Sequence, residues 1–563
     1  MNFISKYKKI IQWTALCSAL VLCLSACEKP MGGIEDAALN RAFTPSGLSV
    51  RTVKDSAIFK WNMPVYGNGK ALKYTLELAK DSLFSTIDYT RIADTTGAVV
   101  LDPEIELNTR YFYRVKVNEY KGTAASMYLN SSTAFRLTGQ QYFRVIRDFE
   151  ITENTALFHW FQNTNTAGLT KIVLTPSLTN SSAITAEITG SDIAAGMKNI
   201  VGLTPDMRYT VQLFAGNKSK GILNITTAKP VVFTTVLSPT DNLATAITAA
   251  ANGDVIGLNP GTYNLTGITY ITQKSITIRS VANDPGTTKI KSREINLVGD
   301  SAGVSLAGID FDGNYSGTSY GTAFMQLMGT QAATGTKAAF KAIKIENCII
   351  HDYLRCILRG NYGAAANDQK IESVSINNSR IYNVDQANAQ GYYMFSLEKL
   401  LISKLSFTKS TFYNLGQGMI NMGTNLSSTI VPAISLDYCT FNNFGGGNKY
   451  LFIDANANKI VYTFNNSIVA NTPISGTIQA AAFRASASGN VLAFSNNNYF
   501  NLRLTSGGAA VTLTGLAQAN DISIDLGWTA ATTNFKLVDA LEFSKVFSAS
   551  SNGSTVGDPR WAY

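Results

Sequence analysis

An eight-residue phrase recurs six times in the second half of the chain. The copies begin at Ile345, Ile376, Phe407, Leu436, Phe464 and Phe494. Their fourth positions, 348, 379, 410, 439, 467 and 497, are separated by 31, 31, 29, 28 and 30 residues. A nearly constant period of this length is typical of solenoids, in which each coil packs on the next one. The repeat therefore predicts a stack of coils.

The columns of the aligned copies have physical reasons. The first and sixth positions are always large and apolar, as expected for inward side chains on two strands that flank a tight turn. The fourth position holds Cys, Ser, Ser, Cys, Ser and Asn, which predicts a cramped site against the neighbouring coil. The eighth is Asp once and Asn five times, and Asn both tolerates left-handed turns and hydrogen-bonds along a stack. We expect these asparagines to be structural.

Cysteine and histidine usage excludes several kinds of chemistry. Cys348 and Cys439 stand three coils apart, about 14 Å at the spacing of adjacent strands, which is too far for a disulfide bond. We expect both to be buried thiols, and the odd set of three with Cys356 is not a disulfide framework. The chain has only two histidines, His159 and His351, so neither a His-rich zinc site nor a Ser-His-Asp hydrolase is expected.

The N-terminal segment has the features of an export signal. Three lysines precede an apolar run, residues 10–24, that is too short to span a bilayer. The run ends in Leu24-Ser25-Ala26-Cys27, which resembles a lipobox, where the cysteine thiol receives diacylglycerol. We predict a signal peptide over 1–26, acylation of Cys27, an anchor linker over 27–41 and an outer-membrane lipoprotein that faces the cell surface.

The charge of the chain limits its partners. There are 47 basic and 38 acidic residues, and three of the lysines lie in the predicted signal peptide. The remaining positive excess is small for this length, so no nucleic-acid partner is expected. The lipid is the expected contact with the membrane, since no later stretch is apolar enough to cross a bilayer.

Two series of short alternating strands follow the predicted linker. The first contains Trp61 in segment 57–61 and Tyr111 in segment 107–115, and the second contains Trp160 and Tyr209 in the same order. An early core Trp and a late strand with a buried Tyr resemble a fibronectin type III domain. We expect two such domains, over 42–138 and 139–234, and they are expected to act as spacers.

The start of the solenoid carries a second resemblance. Residues 253–263, Gly-Asp-Val-Ile-Gly-Leu-Asn-Pro-Gly-Thr-Tyr, resemble the first coil of pectate-lyase-like β-helices, behind a helical cap over 240–252. With its ending at 557–561, the chain resembles glycan-locus surface lipoproteins that join fibronectin-like modules to a β-helix. The resemblance implies an all-β chain, with two fibronectin type III-like β-sandwiches followed by a right-handed parallel β-helix of pectin-lyase type over 235–563.

In pectate-lyase-like helices the ligand lies along the sheet that follows the third strand of each coil. The corresponding segments here are 354–359, 392–397, 419–422, 450–454 and 481–484. Strand alternation places two arginines on one face, where their guanidinium groups suit uronate carboxylates, and one of two tyrosines could stack on a sugar. The candidate glycan-binding residues are Arg355, Arg359, Tyr392, Tyr393, Asn421, Asp454 and Arg484.

Three functions are compatible with these residues. The favoured one is a surface protein that binds an acidic, pectin-like polysaccharide and passes it to an outer-membrane importer and surface enzymes, with no catalytic group or cofactor. The second is a polysaccharide lyase with a base among Arg355, Arg359, Lys370 and Arg380. A lyase would also use Ca²⁺, for which Asp310 and Asp312 point the same way from one strand. The third is a structural adhesin or spacer.

Replacing Cys27 by Ala tests the predicted anchor, because diacylglyceryl transfer needs that thiol. We expect the variant to lose radioactive palmitate and to leave the membrane fraction, whereas Cys23→Ala, four residues upstream in the apolar run, should remain lipidated. A Cys27→Ala protein that stays labelled and sediments with membranes would contradict the prediction.

Overall fold

Short β-strands form nearly all of the regular structure in a computed structural model of the chain. It describes residues 40–562 except 66, 163–165, 179–180, 361–364, 367, 388, 427, 517 and 538–544. Cys27 and the predicted signal peptide lie outside these residues. The described chain forms two compact units. The first extends to residue 145 and includes 157–200 and 207–226, and the second consists of 146–156, 201–206 and 227–562.

The first sandwich is formed by strands that alternate buried and exposed side chains. They are β1 (Ser46–Val53), β2 (Ser56–Asn62), β3 (Tyr74–Ala79), β4 (Tyr89–Ala93), β5 (Gly97–Leu101), β6 (Arg110–Val117), β7 (Leu129–Asn130) and β8 (Phe135–Arg136). One antiparallel sheet has the order β1-β2-β5, and the other has the order β4-β3-β6-β7 with β8 beside β6. Trp61 packs at 5.4 Å from Tyr74, and the Tyr111 hydroxyl accepts the Glu106 N–H at 3.2 Å. This strand order is that of a fibronectin type III domain.

The second sandwich repeats the arrangement with fewer strands. They are β9 (Thr155–His159), β10 (Lys171–Pro176), β11 (Ile184–Glu187), β12 (Met197–Val201), β13 (Arg208–Ala215) and β14 (Lys218–Thr226), with helix α1 (Gly190–Ala195) before β12. One antiparallel sheet has the order β11-β10-β13-β14, and β12 pairs with β9 in the other sheet. Trp160 and Tyr209 are fully buried, as the sequence predicts.

Parallel strands stack into a β-solenoid, and helix α2 (Leu243–Ala249), which lies within the predicted cap, follows its first strand. Sheet A of the solenoid contains β15 (Thr235–Leu237), β16 (Val255–Leu258), β18 (Ser275–Ser280), β20 (Gly303–Ala307), β23 (Ala338–Phe340), β24 (Ile343–Glu346), β27 (Gln369–Asn377), β30 (Leu400–Thr408), β33 (Ala433–Asp437), β36 (Val461–Asn465) and β39 (Val491–Ser495).

The other strands form one sheet that bends at its longest members, β17 (Gly261–Thr272) and β19 (Thr288–Val298). The first part of β19 pairs with sheet B, which contains β21 (Asp310–Asp312), β25 (Ile349–Tyr353), β28 (Arg380–Val384), β31 (Thr411–Leu415), β34 (Thr440–Phe444), β37 (Ile468–Thr472) and β40 (Asn498–Leu502). Its second part pairs with sheet C, which contains β22 (Ala323–Met328), β26 (Cys356–Arg359), β29 (Phe395–Ser396), β32 (Ile420–Asn421), β35 (Ile453–Asn456) and β38 (Phe483–Ala485).

Each phrase of the repeat connects sheet A to sheet B. Its first and sixth side chains are inward and buried, and Phe412 stacks on Phe441 at 5.0 Å. The third and eighth residues have left-handed backbones in all six copies, with φ between 48° and 63°. Lys409 and Tyr438 adopt this conformation at third positions, where an ordinary residue pays about 1–2 kcal/mol. Stacking therefore imposes the turn even where Asn is missing.

The small fourth column is a line of hydrogen bonds between coils. Ser410 is fully buried, its Oγ accepts the N–H of Ser379 at 3.0 Å, and it donates to the Thr408 carbonyl at 2.7 Å. In the same way, the Oγ atoms of Ser379 and Ser467 accept the N–H groups of Cys348 and Cys439. Each of the two hydroxyls also donates to the carbonyl two residues before it. All three cysteines of the described chain are buried and free, and burial raises the pKa of each thiol.

The eighth column is a ladder of side-chain amides. Asn383 donates to Asp352 at 3.0 Å, Asn414 to Asn383 at 3.1 Å, and Asn443 to Asn414 at 2.7 Å. At the next coil the ladder shifts by one residue, since Asn471 donates to Asn442. These are the structural asparagines that the repeat predicts.

The C-terminal segment packs on the outer face of sheet B. Trp528, Phe535 and Leu537 bury Tyr413 and Phe500 there. Within the described residues no helix is long and apolar enough to span a membrane. The all-β fold class, with fibronectin-like sandwiches before a parallel solenoid, agrees with the sequence prediction.

Replacing Ser410 by Leu should lower the free energy of unfolding by about 1–3 kcal/mol, because the column has no room for the larger side chain. The control is Ser375→Leu on the outer, half-buried face of β27. Urea unfolding should show a lower midpoint for Ser410→Leu than for the control. Equal midpoints would contradict the assigned register.

Candidate functional site

A column of polar side chains runs along the outer face of sheet C. Strand pairing places the following residues in direct register on successive coils: Asn296, Gln326, Arg359, Ser396, Asn421, Asp454 and Arg484. The residues before them in each strand, such as Leu358 and Ile453, are buried in the core. Four of the predicted glycan-binding residues therefore lie in one line: Arg359, Asn421, Asp454 and Arg484.

Two arginines meet at one tyrosine at one end of this line. The Arg355 guanidinium carbon lies 5.3 Å from the centre of the Tyr392 ring, and that of Arg359 lies 5.2 Å from it. Arg355 Nε also donates to the Gln390 side-chain oxygen at 3.2 Å. All three predicted residues are half-buried. The Tyr392 ring therefore supports the two guanidinium groups by cation–π contacts.

The strands of sheet C are shorter than the sequence predicts, and this changes two assignments. Arg355 and Tyr392 precede β26 and β29 instead of lying within them. The prediction that Tyr393 could stack on a sugar is wrong. Tyr393 is only 3% exposed, and its hydroxyl accepts the Tyr450 N–H at 3.1 Å. An offset of one residue between a loop and the next strand is enough to exchange an outward for an inward side chain.

An ion pair lies at the other end of the line. Arg484 contacts both carboxylate oxygens of Asp454 at 2.7 Å, and its guanidinium carbon lies 5.5 Å from the Tyr450 ring centre. The hydrogen bonds to Asp454 raise the pKa of Arg484. Asn421 donates to Glu398, a residue that the sequence analysis did not select. At this end of the column the Arg484 guanidinium is partly exposed, and it neutralises the charge of the Asp454 carboxylate beneath it.

A second cluster lies on the outer face of sheet B. Asp310 and Asp312 point the same way, as predicted, and Lys289 Nζ lies 3.0 Å from one carboxylate and 3.6 Å from the other. The Lys289 ammonium therefore occupies the position between them that the predicted Ca²⁺ would need. His351 lies directly opposite Asp312 in the parallel register and is 8% exposed.

The two ring nitrogens of His351 face carboxylates. Nε2 lies 3.1 Å from Asp310 Oδ1, and Nδ1 lies 2.7 Å from Asp352 Oδ2. Burial opposes protonation of the ring, but the contacts with these two carboxylates outweigh it and raise the pKa of His351 to about 9. The hydrogen bond from His351 in turn lowers the pKa of Asp352. The two carboxylates therefore favour the protonated form of the ring.

A cavity of about 270 Å³ opens beside Asp352. Asn383, Asp385, Gln390 and Tyr320 are among its lining residues. Asp385 is 5% exposed, and burial raises the pKa of its carboxyl group.

The four candidate lyase bases do not converge. Lys370 lies in β27 of sheet A and is exposed, Arg380 begins β28 of sheet B, and Arg355 and Arg359 lie at sheet C. The contact of Asp312 with His351 was not predicted. Its sequence signal is the alignment of Asp310-Phe311-Asp312 with the fifth to seventh positions of the first phrase.

Comparison with known proteins yields similarities for both parts of the chain. Residues 261–415 match the model of a family described as a domain of unknown function (DUF4957), and residues 434–561 match another such domain (DUF5123). No curated protein matches the chain. A two-domain fibronectin type III segment of chicken tenascin is 18% identical over 33% of this chain and 99% of its own, with a TM-score of 0.15. The fibronectin domains FN1–FN3 of chicken CNTN1 are 15% identical over 34% of this chain and 68% of their own, with a TM-score of 0.14.

Proposed function

We propose that the protein binds an acidic, pectin-like polysaccharide along the outer face of sheet C. The observation that carries this proposal is the placement of Arg355 and Arg359 on the one ring of Tyr392. Guanidinium groups form paired hydrogen bonds with carboxylates, and a shared aromatic support reduces the entropy lost when they bind. A uronate residue is the sugar that would use both groups.

The length of the polar column supports an extended ligand. Four strand spacings separate Arg359 from Arg484, about 19 Å in a parallel sheet. Between these ends lie Asn421 and Asp454, whose side chains suit sugar hydroxyl groups. A chain with carboxylates near both ends of this span would contact both arginine sites.

Binding is favoured over cleavage, because a lyase needs a base and a carboxylate-neutralising group at one sugar. The lyase candidates are spread over three sheets, and Lys289 fills the position proposed for Ca²⁺. In the proposed role, the lipid at Cys27 would hold the protein on the outer membrane at the cell surface. The sandwiches would act as spacers, and an importer and surface enzymes would receive the glycan.

The double variant Arg355→Ala and Arg359→Ala tests the site. Affinity for polygalacturonate should fall at least tenfold, about 1.4 kcal/mol, and the remaining binding should depend less on salt because two charge-assisted contacts are lost. The matched control is Lys370→Ala with Lys404→Ala, which removes the same charge from exposed positions of sheet A. Calorimetry at two salt concentrations supplies both readouts.

The outcome that contradicts the proposal is equal affinity of the arginine variant and the wild type while both remain folded. Binding to neutral glycans alone would remove the acidic ligand from the proposal. Absence of binding to any glycan would favour the adhesin or spacer role. Release of unsaturated uronates would instead favour a lyase.

A further inference from the structure

The cluster on sheet B contains more than acidic side chains. Asp312, His351 and Asp352 each offer one ligand atom, and these atoms lie within 4.8 Å of one another. His351 Nδ1 is 2.7 Å from Asp352 Oδ2 and 4.0 Å from Asp312 Oδ1. Metal ions lie about 2.0–2.2 Å from such atoms, so small side-chain rotations would allow one ion to contact all three.

The other ring nitrogen of His351 faces a buried carboxylate. Asp310 is 9% exposed, and its Oδ1 lies 3.1 Å from His351 Nε2. Histidines that bind metals through one nitrogen usually donate the other N–H to a carboxylate, which fixes the tautomer. Asp310 stands in that position and would hold the proton on Nε2.

The side chains of the cluster are also held in place. The Asn383 amide donates to Asp352 Oδ1 at 3.0 Å, and the Asn314 N–H donates to Asp312 Oδ1 at 2.9 Å. The His351 ring stacks on Tyr382 at 5.0 Å with an interplanar angle of 5°. Such supporting contacts lower the entropy lost on binding a metal ion.

A divalent cation would balance the charge of the cluster. Asp310, Asp312 and Asp352 carry three negative charges, and Lys289 supplies one positive charge. A divalent ion would balance the remaining two. An uncompensated charge near the interior is costly.

We propose that Asp312, His351 and Asp352 bind one divalent transition-metal ion on the outer face of sheet B, with Asp310 as a positioning residue for the His351 ring. An imidazole with two carboxylates suits Zn²⁺ and its neighbours, whereas Ca²⁺ takes oxygen ligands. Asp352, one of the three proposed ligands, also lines the cavity of about 270 Å³. This site is independent of the glycan-binding proposal.

Titration of the chelator-treated, dialysed protein with Zn²⁺ tests the site. Calorimetry should give one ion per chain, while Ca²⁺ at the same concentration should not bind. Co²⁺ should give visible d–d absorption. Asp310→Asn should weaken Zn²⁺ binding about 10- to 100-fold, and His351→Gln should abolish it. His159→Gln, in the second sandwich, is the control and should bind as the wild type.

Absence of saturable Zn²⁺ binding by the wild type would overturn the proposal. Wild-type affinity in folded His351→Gln would do the same. If His351→Gln does not fold, as circular dichroism would show, Asp352→Asn decides, since its side chain is the most exposed of the three ligands. Loss of Zn²⁺ binding in that folded variant supports the site, and unchanged binding contradicts it.

Discussion

Contacts from coil to coil are the constraint on which the solenoid depends. Each phrase turns sharply between sheets A and B, and backbone N–H groups at that turn are accepted by side chains of the neighbouring coil. The buried hydroxyl of Ser410 shows this directly, because it accepts an N–H from one coil and donates to a carbonyl of its own. A larger side chain would fill the space and leave a buried N–H without its acceptor. The repeat is therefore conserved within the chain where coils touch.

The same stacking explains how functional groups are collected. Outward side chains at equivalent positions recur at the strand spacing, about 4.8 Å, so a surface column forms from residues about thirty positions apart. Arg359, Asn421, Asp454 and Arg484 are brought together in this way on sheet C. Asp312 and His351 are brought together in the same way on sheet B. On sheet C the outward column changes residue type from coil to coil, while the inward column stays apolar.

Sequence patterns predicted the parts of the structure that repeat. The inward apolar columns, the left-handed asparagines and the buried thiols follow from six aligned copies. The parts that do not repeat were less predictable. Tyr392 and Tyr393 differ in exposure because a loop of individual length precedes β29. Asp310 and Asp312 were predicted as a pair, but their contacts with His351 and Lys289 were not, because β21 lies in a coil without the full phrase and Lys289 comes from yet another coil.

The central claim is that an acidic glycan lies along the outer face of sheet C, and the structure of the protein with a bound galacturonate oligosaccharide tests it most directly. The account predicts an extended ligand parallel to the stacking direction, with one carboxylate at Arg355 and Arg359 and the chain continuing towards Arg484. A ligand bound on sheet A, on sheet B or on the fibronectin-like sandwiches, with the arginines on Tyr392 left uncontacted, would contradict it.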